Sequence, residues 1–269
     1  DLKVLRDIDR FLVHKDFSEA TREGYRRQLV YLDEYLARAG VSVETAGPED
    51  LVRLMEERGW GGSARHKMAA TMRSYIRWAF GDNHQLLALK LKRPKNRPQR
   101  RLERGKLDMA LESFDALESV TGIRDHAIVA LMVDSGIRRN EAACLLLKDL
   151  DLEKRVLVVQ IKGGGWGRGF FSEETAGLLD DWLGIRPAYV KPGVDSFFIA
   201  LRGRNVGRQM TSKGISMVYR RLTQRAGFTV SAHDMRRTFA RLMNESGATT
   251  ETIRQAGRWE SLEQVKSYI

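Results

Sequence analysis

The chain has 269 residues, enough for one large domain or two ordinary ones, and its 42% hydrophobic and 30% charged residues exclude a disordered protein. The absence of any run of about 18 apolar residues excludes a membrane-spanning helix, and the single cysteine, Cys144, excludes an internal disulfide. The net charge of +11 is concentrated in one short segment, which favours a polyanion as the partner over an evenly solvated surface.

Hydrophobic periodicity predicts three helices at the start of the chain. The first covers residues 1–14. The second runs from a cap at Ser18 to about Ala39, and the third follows Pro48 and ends near Gly59. Together with the next helix, they predict an all-α N-terminal bundle of four or five helices.

A fourth predicted helix, capped by Ser63 and ending at Phe80, carries basic residues and no acid. At about 100° per residue its apolar and basic residues fall on opposite sides. A basic front suits a helix that lies along a phosphate backbone or enters the major groove, and an ordinary solvated face is the alternative. We predict DNA contacts from its basic residues, which are Arg65, His66, Lys67, Arg73 and Arg77.

Residues 90–106 form a basic connector with nine Lys or Arg residues and Glu103 as the one acid. Pro94 and Pro98 exclude a regular helix, so we predict an extended segment and a domain boundary. Nucleic acid is favoured over an acidic membrane because no amphipathic anchor accompanies the run, and a solubilising linker is the alternative. The predicted DNA-contacting residues are Lys92, Arg93, Lys95, Arg97, Arg100 and Arg101.

The remaining residues, 107–269, predict helices around a small β-hairpin. The predicted helices are 107–120, 122–134, one from 137 carrying Cys144 to Leu147, 172–183, 212–225, one from Ser231 or Ala232, 250–256, and one from 261. The predicted strands are 156–161 and 168–171, with a short buried strand at 197–199. The predicted fold is mainly α with a small antiparallel β-sheet, an α+β domain at 107–269 joined by the 90–106 linker to the bundle at 1–89.

No zinc-ligand spacing, calcium loop or phosphate-binding glycine loop occurs, so we predict no metal and no cofactor. Arg138 follows a tight glycine turn, and Glu141 lies one helical turn further on, where it can hold the guanidinium; a common surface ion pair is the alternative. Lys162 lies at the glycine-rich hairpin tip, where a lysine is usually just solvated. His233 and Arg236 are one turn apart and share a helix face.

The order of these residues resembles the tyrosine site-specific recombinases, also called the phage integrase family. The resemblance rests on Ser135-Gly136-Ile137-Arg138 with Glu141, on Lys162 in a hairpin, on His233-Asp234-Met235-Arg236, on Ala256-Gly257-Arg258-Trp259, and on Tyr268 nine residues after the tryptophan. The N-terminal bundle is similar to the core-binding domain of that family. The resemblance therefore covers essentially the whole chain, as a simple two-domain, Cre- or Xer-like member.

The resemblance implies that the protein cuts and rejoins DNA by transesterification through a 3′-phosphotyrosyl intermediate. Tyr268 would be the nucleophile, and His233 would be its base because the unperturbed pKa of tyrosine is about 10. Lys162 would protonate the leaving 5′-oxygen.

The same resemblance implies that Arg138 and Arg236 clamp the phosphate oxygens. Glu141 would orient Arg138, and Trp259 would donate its indole N–H or pack the helix of the nucleophile. No metal or nucleotide is implied, because the phosphotyrosine conserves the bond energy for religation.

The resemblance also implies that the partner is double-stranded DNA and that the protein is a monomer in solution. On two DNA sites, four protomers would assemble as a homotetramer and act through a Holliday junction. A cytoplasmic, nucleoid-associated protein of bacterial, phage or mobile-element origin is expected, without membrane contact. The family usually has a further helix after the tyrosine. Since Ile269 follows Tyr268 directly, we expect a shortened chain or protomer contacts made differently.

A type IB topoisomerase, a telomere-resolving strand transferase and a non-catalytic DNA-binding regulator are the alternative functions. The first shares the chemistry but relaxes supercoils without pairing sites, and the second makes hairpin ends. The full set of candidate site residues argues against the regulator.

Overall fold

The computed structural model of the chain describes residues 2–92, 102–114, 119–161 and 164–269. These residues belong to two units, Asp1–Arg97 and Pro98–Ile269. Each unit has its own hydrophobic core. None of the helices in the described ranges combines the length and the apolar character that crossing a bilayer requires.

The first unit is helical, as predicted. Its helices are α1 (Leu2–His14), α2 (Glu19–Arg38), α3 (Pro48–Glu57) and α4 (Gly62–Phe80), followed by a 3-10 turn at Gln85–Ala88. They enclose a core in which Phe11, Leu32 and Met72 are almost fully buried. The predicted cap at Ser63 is wrong: the N-cap of α4 is Gly61, two residues earlier, which takes the extended conformation of a capping residue.

The second unit contains eight of the described α-helices and a small sheet. The helices are α5 (Arg104–Glu112), α6 (Val120–Ser135), α7 (Arg139–Cys144), α8 (Glu173–Ile185), α9 (Ser212–Ala226), α10 (Ala232–Glu245), α11 (Thr250–Ala256) and α12 (Leu262–Lys266). The strands are β1 (Leu150–Asp151), β2 (Val156–Gln160) and β3 (Trp166–Phe170), which pair antiparallel in the order β1-β2-β3. The predicted combination of helices and a small antiparallel sheet is therefore confirmed.

Several predicted boundaries are wrong. The helix predicted at 107–120 starts at Arg104 and ends at Glu112, and the next begins after Ser119, whose hydroxyl accepts from the amide of Gly122. The helix that begins near Arg138 ends at Cys144, because Leu145 is extended. The helix predicted at 212–225 does start at Ser212, after a cap at Thr211, and it ends one residue later than predicted, at Ala226.

The strand predictions also need correction. β2 and β3 pair in the register that places Val158 opposite Arg168, so β3 starts two residues earlier than predicted. β1 was not predicted, since two residues are too short for a periodic signal. Residues 197–199 are buried as expected, but they do not form a strand: only Ile199 makes an isolated β-bridge, with Gln209.

Helix α6 positions the region where the predicted site residues meet. It is apolar on nearly every side, with Ile128, Leu131 and Met132 fully buried, and it packs against α8 and α10. It ends at Gly136, which adopts a left-handed conformation (φ 62°). The glycine turn delivers the chain directly to Arg138 at the start of α7.

Candidate active site

Arg138 is the N-cap residue of α7 and is held there by the carboxylate of Glu141. Nη1 of Arg138 donates to Glu141 Oε1 at 2.7 Å, and its backbone amide donates to Glu141 Oε2 at 2.8 Å. The carboxylate is almost fully buried, whereas 32% of the Arg138 side chain is exposed. The predicted pairing is thus present, with one bond to the guanidinium and one to the backbone, and the guanidinium keeps an accessible face.

His233 lies in the first turn of α10, and Arg236 lies at the start of the second turn. The start of this helix is held by Ser231 and Asp234: the Ser231 amide and hydroxyl donate to Asp234 Oδ2 at 2.9 and 2.8 Å. The Arg236 guanidinium is buried and donates to the carbonyls of Gly136 and Gly257. It is therefore attached to the α6–α7 turn on one side and to the end of α11 on the other.

Tyr268 follows α12 and packs against two residues of the predicted site, His233 and Trp259. Its ring centroid is 5.7 Å from that of His233, in an edge arrangement, and 5.6 Å from that of Trp259. The guanidinium carbon of Arg236 lies 4.2 Å from the centre of the Trp259 ring, on its face. Trp259 is buried and belongs, with Phe239, to a small apolar cluster that holds the last two helices. Trp259 therefore packs the segment that carries Tyr268.

Arg258 was not singled out from the sequence, although its side chain is only 4% exposed. It has a positive φ of 56°, which is uncommon for a residue other than glycine. Its carbonyl accepts a hydrogen bond of 2.9 Å from Nη2 of Arg138, and its own Nη2 lies 3.8 Å from Glu141 Oε2. Its side chain lies against Gly167 and Gly169 of β3, and nothing local in the sequence links those two glycines to Arg258.

The clustered arginines set the electrostatics of the site. Burial, together with the positive charges of Arg138 and Arg258, lowers the pKa of Arg236 to about 9, which leaves it charged at neutral pH. Burial also lowers the pKa of Arg258, and Glu141 opposes that shift. Partial desolvation of the His233 ring, then the charge of Arg237, lowers the pKa of His233 and favours its neutral form.

A cavity of about 720 Å³ opens beside these residues. Its wall includes Arg138, His233 and Arg236 from the predicted set, with Arg139 and Arg220 as further basic groups. A site with several guanidinium groups and a neutral imidazole fits an anion better than a metal ion. The described residues also contain no cluster of three or more side chains suited to bind a metal.

Not every predicted site residue lies in this cluster. Arg138, Glu141, His233, Arg236, Trp259 and Tyr268 come together within the second unit. Lys162 lies outside the described residues. The hairpin on either side of it is described, and the amide of Ile161 donates to the carbonyl of Gly165 at 2.8 Å.

The basic residues predicted to contact DNA lie partly in α4. His66 Nε2 donates to the carbonyl of Lys92 at 2.9 Å, and Arg73 Nη2 donates to the carbonyl of Leu89 at 2.6 Å. Arg77 pairs with Asp82 at 3.2 Å, Arg65 donates to the carbonyl of Trp60, and Lys67 is exposed. Arg93, Lys95, Arg97, Arg100 and Arg101 lie outside the described residues. Two α4 side chains therefore hold the backbone that leads into the connector.

Two family models match the chain. The one described as "Phage integrase family" matches residues 103–269, and the one described as "Phage integrase, N-terminal SAM-like domain" matches residues 8–82. The first contains all seven residues of the predicted catalytic set. Between the two matches lie residues 83–102, which include most of the basic connector.

Curated relatives are named as tyrosine recombinases. The "Tyrosine recombinase XerC" of Lactobacillus leichmannii is 29% identical over 185 residues, covering 68% of this chain and 62% of the relative. That of Oceanobacillus iheyensis is 26% identical over 278 residues, covering 97% and 90%. The chain thus spans less than two thirds of the length of the first of these relatives.

Solved structures share the fold. The Tn1549 transposon integrase, in complex with a circular intermediate DNA, has a TM-score of 0.79 at 17% identity, covering 98% of this chain and 94% of that one. The XerH site-specific recombinase, bound to a palindromic difH substrate, has a TM-score of 0.74 at 22% identity, with coverage of 93% and 76%. At these identities the similarity concerns the fold.

Proposed function

Because the chain belongs to the phage integrase family, we propose that it is a site-specific DNA recombinase that cuts and rejoins DNA through a 3′-phosphotyrosyl intermediate. One observation carries the proposal: the Tyr268 ring lies against His233 and Trp259, and Arg236 covers the same tryptophan. A phenol, an imidazole and a guanidinium can serve as the nucleophile, the base and the phosphate-binding group of a phosphodiester transesterification.

In the proposed reaction the Tyr268 phenolic oxygen attacks the scissile phosphorus. His233 takes the phenolic proton, which its lowered pKa permits because the ring is neutral near pH 7. The bond between phosphorus and the 5′-oxygen breaks, and Lys162 supplies a proton to that oxygen. Religation is the reverse: a 5′-hydroxyl attacks the phosphotyrosine and Tyr268 regains its proton. No bond energy is lost between the two steps.

Arg138 and Arg236 are proposed to stabilise the charge that develops on the non-bridging oxygens. Guanidinium groups suit this role because their planar donors contact two oxygens at once. Glu141 orients Arg138 through the 2.7 Å bond, and the exposed face of that side chain is available to a phosphate. Arg236 is held by two backbone carbonyls, so its position is set before the substrate binds.

Double-stranded DNA is the proposed substrate. The Tn1549 integrase and XerH structures, whose fold this chain shares, contain DNA. We propose that residues 1–89 act as a core-binding domain, that 90–106 is the basic linker, and that 107–269 carries the chemistry. Four protomers would act on two sites through a Holliday junction. The bacterial source of the relatives supports action in the cytoplasm, on nucleoid DNA.

The test is covalent capture from a library of duplexes with randomised sequence, each nicked so that a short fragment diffuses away after cleavage. A 5′ label on the cleaved strand stays with the protein only if the bond is to the 3′-phosphate. Wild-type protein should form this adduct, and Tyr268→Phe should bind the selected DNA without forming it. Tight binding without any adduct from the wild type would favour a non-catalytic regulator and contradict the proposal.

The selected site then separates the remaining alternatives. A plasmid with two copies of the site should yield recombinant circles. Relaxation of a plasmid carrying one site, without exchange between two, would favour a topoisomerase, and hairpin ends would favour a telomere-resolving enzyme.

A further inference from the structure

We propose that Arg258 is a positioning residue that couples the β2–β3 hairpin to the phosphate-binding Arg138; this inference rests on the proposed recombinase function. Arg258 lies next to Trp259, in the turn that follows α11. It adopts a left-handed conformation and buries a charged side chain, two features that are each costly for an arginine. A residue that carries both costs is held in place by specific contacts.

Those contacts reach three separate parts of the second unit. Nη1 of Arg258 donates to the carbonyls of Arg168 in β3 and Ala256 at the end of α11, both at 2.9 Å. Nη2 donates to the carbonyl of Ser135 at 3.1 Å, at the end of α6. The residues joined in this way are 90 and 123 positions from Arg258 in sequence. One guanidinium therefore links the hairpin, α6 and α11.

The connection to the phosphate-binding group is direct. The Arg258 carbonyl accepts a 2.9 Å hydrogen bond from Nη2 of Arg138, and the Arg258 guanidinium lies 3.8 Å from the second oxygen of Glu141. Glu141 is the carboxylate that holds Nη1 of Arg138. Arg138 is thus held at both ends of its guanidinium by groups whose position depends on Arg258. Arg258 itself is buried and acts through Arg138, not on the DNA.

The hairpin is shaped to accept this side chain. A Cβ atom at Gly167 would lie 2.5 Å from Cδ of Arg258, and one at Gly169 would lie 3.1 Å from its Nη1. Glycine weakens a strand interior and often marks the close approach of another group. Neither of these glycines has a positive φ, so no turn geometry requires them. Their presence in β3 is explained by the space that the Arg258 side chain occupies.

The decisive variant is Arg258→Gly, which removes the side chain, keeps the carbonyl and suits the positive φ. Cleavage of the captured site at saturating DNA should slow by about 10-fold to 100-fold, because a misplacement of about 1 Å can cost on the order of 100-fold in rate. DNA affinity should stay near wild type. Arg155→Gly is the matched control: Arg155 is the other non-glycine residue with positive φ among the described residues, and 48% of its side chain is exposed. It should cleave at the wild-type rate.

A second variant, in β3, tests the contact between Gly167 and the Arg258 side chain without removing a charge. Gly167→Ala should slow cleavage in the wild-type background, where its Cβ meets Arg258, and should add little in the Arg258→Gly background, where that atom is gone. Such non-additivity is the signature of a direct coupling. It also keeps the test decisive if Arg258→Gly lowers the melting temperature.

A chemical readout distinguishes positioning from general loss of structure. A scissile phosphate with one non-bridging oxygen replaced by methyl carries no negative charge, so it depends less on Arg138. The Arg258→Gly defect should shrink on this substrate, as the defect of Arg138→Ala should. Equal cleavage by Arg258→Gly and wild type, or an equal defect on both substrates, would overturn the inference. If wild-type protein itself forms no adduct, it is the proposed function that fails.

Discussion

At the scale of single residues, the site depends on how each charged group is surrounded. Partial desolvation of the ring lowers the pKa of His233, and the charge of Arg237 lowers it further. The carboxylate of Asp234 acts against both by raising this pKa. The net shift is downwards, which suits a base that must be neutral when the phenol loses its proton. Arg236 is charged and buried, and two carbonyls and a tryptophan face compensate part of its lost hydration.

The pH dependence of cleavage follows from the lowered pKa of His233. Its pKa lies below the usual 6.5, so the rate at limiting DNA should be level near pH 7 and fall only as the pH drops through that lowered value. Arg237→Gln removes a charge that lowers this pKa, so the acidic limb should move to higher pH. The measurement is single-turnover cleavage between pH 5 and 8. Arg155→Gln, which removes an exposed charge, should leave the limb in place. An acidic limb that persists in His233→Asn would contradict the assignment of His233 as the base.

Arg236→Lys should strongly reduce the rate of cleavage even though it keeps the positive charge. Lysine has one nitrogen and cannot donate at once to Gly136 and Gly257 in the geometry of the guanidinium. We expect the cleavage rate to fall by about 100-fold, or roughly 3 kcal/mol of transition-state stabilisation, with little change in DNA affinity. A filter-binding titration beside the single-turnover assay measures both quantities. A variant with wild-type cleavage would show that Arg236 is not a clamp.

At the scale of elements, helix ends place the functional side chains. The left-handed Gly136 ends α6 and turns the chain towards Arg138, and the Ser231–Asp234 pair starts α10 just before His233. The small apolar cluster around Trp259 then fixes the short helices that carry Tyr268. Each of these features forms locally, but the site residues come together only when all three are present.

Gly136→Ala tests the first of these turns. Gly136 has a positive φ, and a Cβ there would lie 2.4 Å from the ring of Phe239. Gly227 ends α9 with a φ of 75° and no atom within 4 Å of a Cβ, so Gly227→Ala reports the conformational cost alone. We expect about 1 kcal/mol of destabilisation for Gly227→Ala and about 2 to 4 kcal/mol for Gly136→Ala, from the added clash. Urea denaturation measures both, and equal values would mean that Phe239 moves aside freely.

The sequence alone was informative where a signal is local. Periodicity found most helices, and the glycine turn before Arg138 indicated a rigidly held arginine. Helix ends were less accurate: α5 was placed about one turn late because Glu103 and Ser113 are weak boundary signals. Arg258 could not be found in this way, since its partners at Ser135 and Arg168 are distant in sequence and only tertiary structure brings them together. The family resemblance, by contrast, identified Tyr268 and Trp259 as candidate site residues, which no local sequence pattern does.

At the scale of the whole molecule, charge is distributed unevenly. Residues 1–89 carry equal numbers of basic and acidic residues, whereas 90–106 carry nine basic residues and one acid. At the start of this segment, His66 and Arg73 hold the backbone at Lys92 and Leu89. The long-range attraction for DNA is therefore expected to come largely from the connector.

Replacing Arg93, Lys95, Arg97, Arg100 and Arg101 by glutamine should weaken DNA binding and reduce its salt dependence. Each phosphate contact contributes about 0.9 to the slope of log K against log salt, so the slope should fall by up to about 4 or 5. A control removes the same charge from exposed positions elsewhere, Arg10, Arg38, Lys154, Arg155 and Lys191. DNA-binding titrations at salt concentrations from about 50 to about 300 mM measure the slope for the connector variant and for the control variant. An equal reduction in slope would mean that only the net charge matters.

The contact of Arg138 with Arg258, 120 positions away, has a further consequence for how the second unit folds. Contacts between such distant positions form late, because a long loop must close first. Synthesis releases Arg138 and Arg236 before Gly257 and Arg258, whose carbonyls hold them. The two arginines are therefore expected to reach their final positions only after α11 and the turn that follows it have packed against α10.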